Sequence, residues 1–440
     1  MIDLVSLLSR KRLDFMTATL KTVTLGCKVN QYETEFVREG LVGIGYRDAE
    51  PGEAADVCLV NTCTVTATGD SKSRQIIRRL ARQNPLARII VMGCYATRAP
   101  EEVAALPNVE EVVTDKRELP DLLQRLGVVD VPTGISSFGS RHRAYVKVQD
   151  GCLLKCSFCI IPKVRPPLSS RPPQEVIEEV QRLVEGGYRE IVLTGIHLGH
   201  YGVDFNRGKP KTEWVRLAQL IDRVCELAGE FRVRLSSIEA TEVTRELIDV
   251  LQNRSNRVCP HLHISMQSGS DAVLARMRRR WGAQRFVDRC RLVTESLDTP
   301  ALTTDVMVGF PGETDEEFKE TCQVVRQVGF MKLHVFPFSP RKGTPAAEMT
   351  NQVPDAVKRQ RVAHLLEIEG EIRAEYLGRL VGRQLQVLAE SPVEDQLGMF
   401  RGTSSRYAPA IFPGTIADDG QLLNVTATEL VGGELIGARL

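Results

Sequence analysis

Short apolar runs alternate with amphipathic ones along most of the chain. Between residues 19 and 125 the runs KTVTLGC, DVCLVNTC, RIIVMGC and VEEVVTD each read as a strand. Each precedes a stretch of helical period: NQYETEFVREGLVGIG, GDSKSRQIIRRLARQNP, APEEVAALP and LPDLLQRLG. Apolar strands alternating with helices predict an α/β domain built on a parallel sheet covered on both faces. A second series begins near residue 141. RAYVKVQ, REIVLTGIH, RVRLSSIE, HLHISMQSG, LTTDVMVGF and MKLHVFPFS read as strands, separated by helical stretches from PPQEVIEEVQRLVEGG to TDEEFKETCQVVRQVG. Six β/α units are too few for a closed eight-fold barrel. A long charged helix, VKRQRVAHLLEIEGEIRAEYLGRLVGR, then leads into short alternating strands with Gly, Pro and Asp turns, a small β module. The expected domains are 1–140, 141–372 and 373–440.

A chain of 440 residues is too long for one ordinary core, in keeping with that division. Its net charge of +1 gives no global attraction to nucleic acid, so any such contact needs a local basic patch. Three candidates occur: Lys72, Arg74, Arg78, Arg79 and Arg82 on one helix; Arg278 to Arg280; and Arg379, Arg383, Arg401 and Arg406 beside Phe400 and Tyr407. Each also fits a plain solvated surface. No apolar run reaches the 18 residues of a membrane span. The first 20 residues lack the features of a signal peptide, and Met16 is an alternative start that leaves residues 1–15 as a leader. The chain is expected in the cytosol.

In that compartment eleven cysteines point to metal, catalysis or core packing rather than disulfides. Cys58, Cys225, Cys259, Cys290 and Cys322 sit in strand-like or helical apolar patterns and read as core. Cys27, Cys63 and Cys94 instead each end a strand of the first domain. In parallel sheets those ends share one edge, where ligands bind. Cys152, Cys156 and Cys159 follow the first strand of the second domain with spacing C-x3-C-x2-C. Three thiolates suit an iron–sulfur cluster whose fourth iron is free for substrate; zinc is the alternative, though it wants a fourth ligand nearby. The strand ends of the second domain offer Gly195, Ser237 and Gln267 as contacts for a ribose or an amino-acid head, or as ordinary turn residues. His197, His200, His261, His263 and His334 show no metal-like pairing in the sequence and read as structural.

The C-x3-C-x2-C loop after a first strand resembles the radical S-adenosylmethionine (SAM) enzymes, and that resemblance implies a partial (β/α)6 barrel. The whole order resembles the radical SAM methylthiotransferases, with their N-terminal methylthiotransferase domain, radical SAM core and TRAM β-barrel. TLGCKVNQYETE, VNTCTVT, GCYA, LTGIHLGHYG, RLSSIE, HLHISMQSGSD, VGFPGET and HVFPFSPRKGTPAA are most similar to the branch acting on N6-threonylcarbamoyladenosine (t6A) in tRNA. The resemblance implies an auxiliary 4Fe-4S cluster on Cys27, Cys63 and Cys94, and a SAM-binding 4Fe-4S cluster on Cys152, Cys156 and Cys159. It implies SAM as methyl donor and radical source, methylthiolation of C2 of t6A next to the anticodon, and the tRNA anticodon arm, an electron donor and a sulfur source as partners. Isopentenyladenosine tRNA or a ribosomal-protein side chain is the alternative substrate. A non-enzymatic iron–sulfur RNA-binding redox sensor is the second alternative. The loop VRPPLSSRPP departs from the family pattern, with Arg171 alone in a familiar position.

Overall fold

The computed structural model describes residues 18–139 and 141–439; the possible leader, 1–15, lies outside them. The first domain is a five-stranded, all-parallel sheet of β1 (Thr19–Thr24), β2 (Arg47–Asp48), β3 (Val57–Thr62), β4 (Arg88–Gly93) and β5 (Val109–Val112), in the order β2-β1-β3-β4-β5. The strands are apolar on both faces because both are covered. Val60, Ile89 and Val91 pack with Ile77 and Leu80, while Leu59, Ile90 and Met92 pack with Val37 and Leu41. From β1 the chain goes first to one side and then crosses to the other. The topological switch point, where open α/β sheets bind ligands, therefore lies between the carboxyl ends of β1 and β3. Three helices start at these strand ends: α1 (Lys28–Gly43), α2 (Ala67–Gln83) and α3 (Cys94–Arg98).

The second domain contributes β6 (Arg143–Asp150), β7 (Ser169–Ser170), β8 (Glu190–Gly195), β9 (Arg232–Leu235), β10 (Ser237–Ile238), β11 (His261–Ile264), β12 (Ala301–Val308) and β13 (Lys332–Pro337). β6, β8 and β9 pair in parallel, as do β10 to β13, and β7 is a short antiparallel edge on β6. RVRLSSIE, expected as one strand, breaks at Ser236 and belongs to both sheets through β9 and β10. The result is the expected six-unit partial barrel.

The helix Asp355–Gly378 buries Leu365, Ile368 and Ile372 in the barrel core and Tyr376 and Leu377 in the next one. That last core belongs to a closed five-stranded barrel of β14 (Gln384–Pro392), β15 (Met399–Ser404), β16 (Pro409–Pro413), β17 (Leu422–Val431) and β18 (Glu434–Arg439). The run GMFRGTSSRYAPAIF, read as one strand, is two. They are joined by a turn in which Tyr407 is left-handed, φ 63°.

That turn corrects one of the three basic-aromatic expectations. Tyr407 enters the amino end of the partial barrel, stacked on His261 at 5.0 Å and 4.9 Å from the Arg234 guanidinium. Arg406 and Arg383 pair with Asp298, Arg401 pairs with Glu434, and Phe400 lies in the small barrel's core. These residues dock the small barrel and do not form a nucleic-acid face. Beneath them, fully buried Glu190 takes Arg143, Arg232 and Arg234 at 2.6–2.9 Å. Burial would raise its pKa, but the three guanidiniums hold it well below the usual carboxylate range. Arg232 and Arg234 also donate to the carbonyls of Gln386, Thr403, Ser404 and Ser405 at 2.8–3.1 Å.

Candidate functional site

Cys27 caps α1, Cys63 follows β3, and Cys94 is the first residue of α3. Glycines let these ends converge. Gly26, at φ +100°, would put a Cβ 3.1 Å from the Cβ of Cys63, and Gly93, at φ +99°, would put one 2.4 Å from Oδ1 of Asn61. A side chain at either place would strain the backbone and push the loops apart. Asn30 fastens the first two loops: its Nδ2 donates to the carbonyls of Leu25 and Thr62 at 2.7 and 3.1 Å. Burial raises the Cys27 and Cys63 thiols above their ordinary value, against the neighbouring Arg165 in the case of Cys27. Binding metal would therefore release protons from them.

The second set lies on the loop after β6. Gly151, at φ +74°, lets the loop close against Pro166. Ser157 anchors it, its hydroxyl donating to the Arg276 carbonyl at 2.7 Å. Cys152, Cys156 and Cys159 line one cavity with Ser237, Ser265 and Gln267. Burial pushes the Cys159 thiol up to about 12. Arg279 reaches Cys156 Sγ at 3.5 Å and pairs with Glu239. It was expected among surface arginines of the run 278–280. Arg278, left-handed at φ 59°, turns the chain so that Arg279 points inward between two exposed neighbours.

Gln267 and Ser237 are thus at the cavity. Gly195 is not among its lining residues. A Cβ there would lie 2.8 Å from Gln149 Oε1, which accepts from His197 N at 2.8 Å, so Gly195 lets Gln149 hold the following turn. The expectation that His197 and His200 lack a metal-like pairing is also corrected. Both face Glu242, at 3.2 and 3.8 Å, and the three ligand atoms lie within 4.8 Å of one another. The imidazoles stack at 3.6 Å, which sets their lone pairs side by side rather than converging. Nδ1 of His197 lies 3.4 Å from Cys152 Sγ. Burial alone would lower its pKa, yet its bonds to Cys152 and Glu242 hold it at about 9.

The two thiol sets meet across the domain boundary. Ile160 and Val164, just after Cys159, pack directly on Cys94. Lys116 ties the same two segments, donating to Gly93 O at 3.1 Å and Val164 O at 3.0 Å. Arg165, with no exposed side-chain surface, bonds Asn30 and Glu33 of the first domain and Asp150 of the second. Lys147 completes the group, 3.1 Å from Glu33 and 3.0 Å from Asp150. Arg341, from the loop after β13, pairs with Asp70 at 2.6 Å and also bonds Thr64, next to Cys63.

These donor sets fit iron–sulfur clusters. Each is three thiols, cations stand beside the sulfurs, and the second cavity holds hydrogen-bonding atoms without partners among the described residues, Gln267 Oε1 and, beside it, Ser236 Oγ. Gln267 is itself left-handed, φ 68°, an outlier of the kind that gathers at ligand sites.

The radical SAM superfamily matches residues 146–325, and the family described as uncharacterized protein family UPF0004 matches residues 19–115. The chain is 43% identical over 432 residues to the threonylcarbamoyladenosine tRNA methylthiotransferase MtaB of Bacillus subtilis (strain 168), covering 93% of each. The chain belongs to the radical SAM methylthiotransferases. It is also 30% identical over 436 residues to a tRNA-2-methylthio-N(6)-dimethylallyladenosine synthase of Fusobacterium nucleatum, covering 94% of this chain and 98% of that one. Among solved structures, the radical SAM methyltransferase TsrM of Kitasatospora setae, with cobalamin and a 4Fe-4S cluster bound, superposes with a TM-score of 0.51 at 14% identity, covering 76% of this chain and 77% of that one. That last likeness concerns the fold. SAM and 4Fe-4S clusters are the cofactors of the methylthiotransferase family, and among the described residues no helix is long and apolar enough to cross a membrane.

Proposed function

We infer that the chain adds a methylthio group to C2 of N6-threonylcarbamoyladenosine beside the anticodon of tRNA, in the cytoplasm. The observation that carries this reading is the contact of two three-thiol sets across one domain boundary, at Cys94, Ile160 and Val164, in a chain far closer to the threonylcarbamoyladenosine relative than to the dimethylallyladenosine one. Cys152, Cys156 and Cys159 would hold the cluster that binds SAM, with Gln267 and Ser237 beside it and Gly195 shaping the turn above. Cys27, Cys63 and Cys94 would hold the auxiliary cluster. When bound, SAM and the clusters supply the methyl group, the sulfur site and the 5′-deoxyadenosyl radical. The chain's own contribution is placement: its loops hold SAM, base and sulfur in one enclosed space. The reaction needs an electron to cleave SAM and a sulfur atom that SAM's methyl group does not bring, so an electron donor and a sulfur source are partners.

The target base must leave its stack to reach this space, while the phosphates are gripped outside it. Lys72, Arg78, Arg79 and Arg82 are exposed along one face of α2 and have no ion-pair partner among the described residues. Arg74 instead donates to Tyr95 OH at 2.9 Å. Replacing the four exposed cations with Gln should flatten the salt dependence of tRNA binding by roughly 0.7–0.9 in log–log slope per lost phosphate contact. An unchanged slope removes α2 from the interface.

The direct test is reconstituted enzyme, SAM, reductant, sulfide and t6A-bearing tRNA, followed by mass spectrometry of the nucleosides. The expected product is the 2-methylthio form of t6A. SAM cleavage with isopentenyladenosine modified in place of t6A would overturn the reading.

A further inference from the structure

The cations at the meeting of the first domain and the barrel are almost all matched. Arg143 pairs with Glu190 and Glu390, Arg234 with Glu190, Arg165 and Lys147 with Glu33 and Asp150, and Arg279 with Glu239. Lys28 is different. It is half-buried, the first residue of α1 and the neighbour of Cys27 in the chain, yet among the described residues it makes no ion pair and no side-chain hydrogen bond. α1 packs against β6 and β8, and the Lys28 ammonium lies in the field of Arg234, Arg143 and Asp305 of the barrel. Asp305 is already taken by His263, at 3.2 Å. Its backbone carbonyl accepts from Gln267 N at 2.8 Å, so the wall that Lys28 faces is continuous with the cavity of the second thiol set. Lys28 therefore stands between the two thiol sets with its charge uncompensated, a costly arrangement unless an anion arrives.

On the function inferred above, the substrate brings one. The threonylcarbamoyl group hangs from N6, a few bonds from C2, and ends in a carboxylate. With C2 held between the two thiol sets, that carboxylate must come to rest close by. We propose that Lys28 binds the threonyl carboxylate of t6A and is the residue by which this chain selects an acidic modified adenosine over an apolar one. A site built to pair a polar substrate group rejects the analogue lacking it, because its own group is left buried and unpaired. An isopentenyl group offers Lys28 no partner. This proposal rests on the reading of t6A as substrate.

The test is a double-mutant cycle with reconstituted holoenzyme. Wild type, Lys28→Met and Lys28→Arg are each assayed on tRNA carrying t6A and on the same tRNA with the threonyl carboxylate converted to its amide. Iron content is measured for each, because Lys28 adjoins Cys27. On t6A, Lys28→Met should lower kcat/KM by about 10- to 100-fold, the effect of a lost charge-assisted hydrogen bond. Wild type should lose as much on the amide, Lys28→Met should lose little more there, and Lys28→Arg should recover part of the activity. Equal losses by Lys28→Met on both tRNAs would assign the ammonium to a backbone phosphate, and a raised KM for SAM alone would assign it to SAM's carboxylate. Either result overturns the proposal, as does an unchanged kcat/KM. Failure of wild type to modify t6A-tRNA would instead overturn the substrate itself.

Discussion

Cys27→Ala should still cleave SAM under reducing conditions and should leave tRNA without its methylthio group. Cys152→Ala should do neither. The two cysteines sit on different domains and different loops, and each set has its own supports. Cys152 lies on a loop fixed by Ser157 to Arg276 and bordered by Arg279. Cys27 lies on a loop fixed by Asn30 to the Cys63 segment. Removing one thiol leaves the other set's scaffold intact, so the two activities separate. Reading both in one reaction, by released 5′-deoxyadenosine and by nucleoside mass, checks this. Loss of SAM cleavage in Cys27→Ala would mean that the two sites form one functional unit. Methylthiolation by Cys27→Ala would remove Cys27 from the sulfur site.

Glu33→Ala should cost about 3–5 kcal/mol, the usual penalty for leaving a buried charge without its partner. Glu33 and Arg165 have side chains 1% and 0% exposed, so water does not replace the lost carboxylate. Arg165 and Lys147 would then share Asp150 alone. Denaturant unfolding should show the first domain detaching earlier than in wild type, and methylthio transfer should fall with it, because this pair holds the two thiol sets together. A shift under about 1 kcal/mol, the range of exposed pairs, would show that the boundary is hydrated and the pair marginal. Replacing Glu33 and Arg165 together by apolar residues should be milder for stability than Glu33→Ala alone.

Much of this architecture was legible in the chain, for a physical reason. Strands covered on both faces must be apolar throughout, so Cys27, Cys63 and Cys94 stood out as thiols at equivalent strand ends, and the spacing of Cys152, Cys156 and Cys159 needed no partner to be seen. Cys58, Cys225, Cys259, Cys290 and Cys322 read as core and are buried. What escaped notice depends on contacts without a period. Glu33 and Arg165 are 132 residues apart, and nothing in NQYETE marks its glutamate as the clamp of another domain. Arg279 looked like its neighbours because only the left-handed Arg278 sends it to Cys156. Tyr407 and Arg406 looked like a nucleic-acid face because basic and aromatic residues also dock one domain on another. The signal that could have found Asn30, Tyr32 and Glu33 was their place on the first helix after Cys27. Buried polar residues there had to meet something, and Tyr32 meets Arg171 at 3.1 Å, the residue that kept its place in the proline-rich loop.

The most direct measurement is iron and sulfide per chain after anaerobic reconstitution, made on wild type, Cys27→Ala and Cys152→Ala. Two four-iron clusters predict about eight irons in wild type and about four in each variant. Wild type that saturates at about four, with one variant unchanged, would contradict the account and identify the thiol set that holds no cluster.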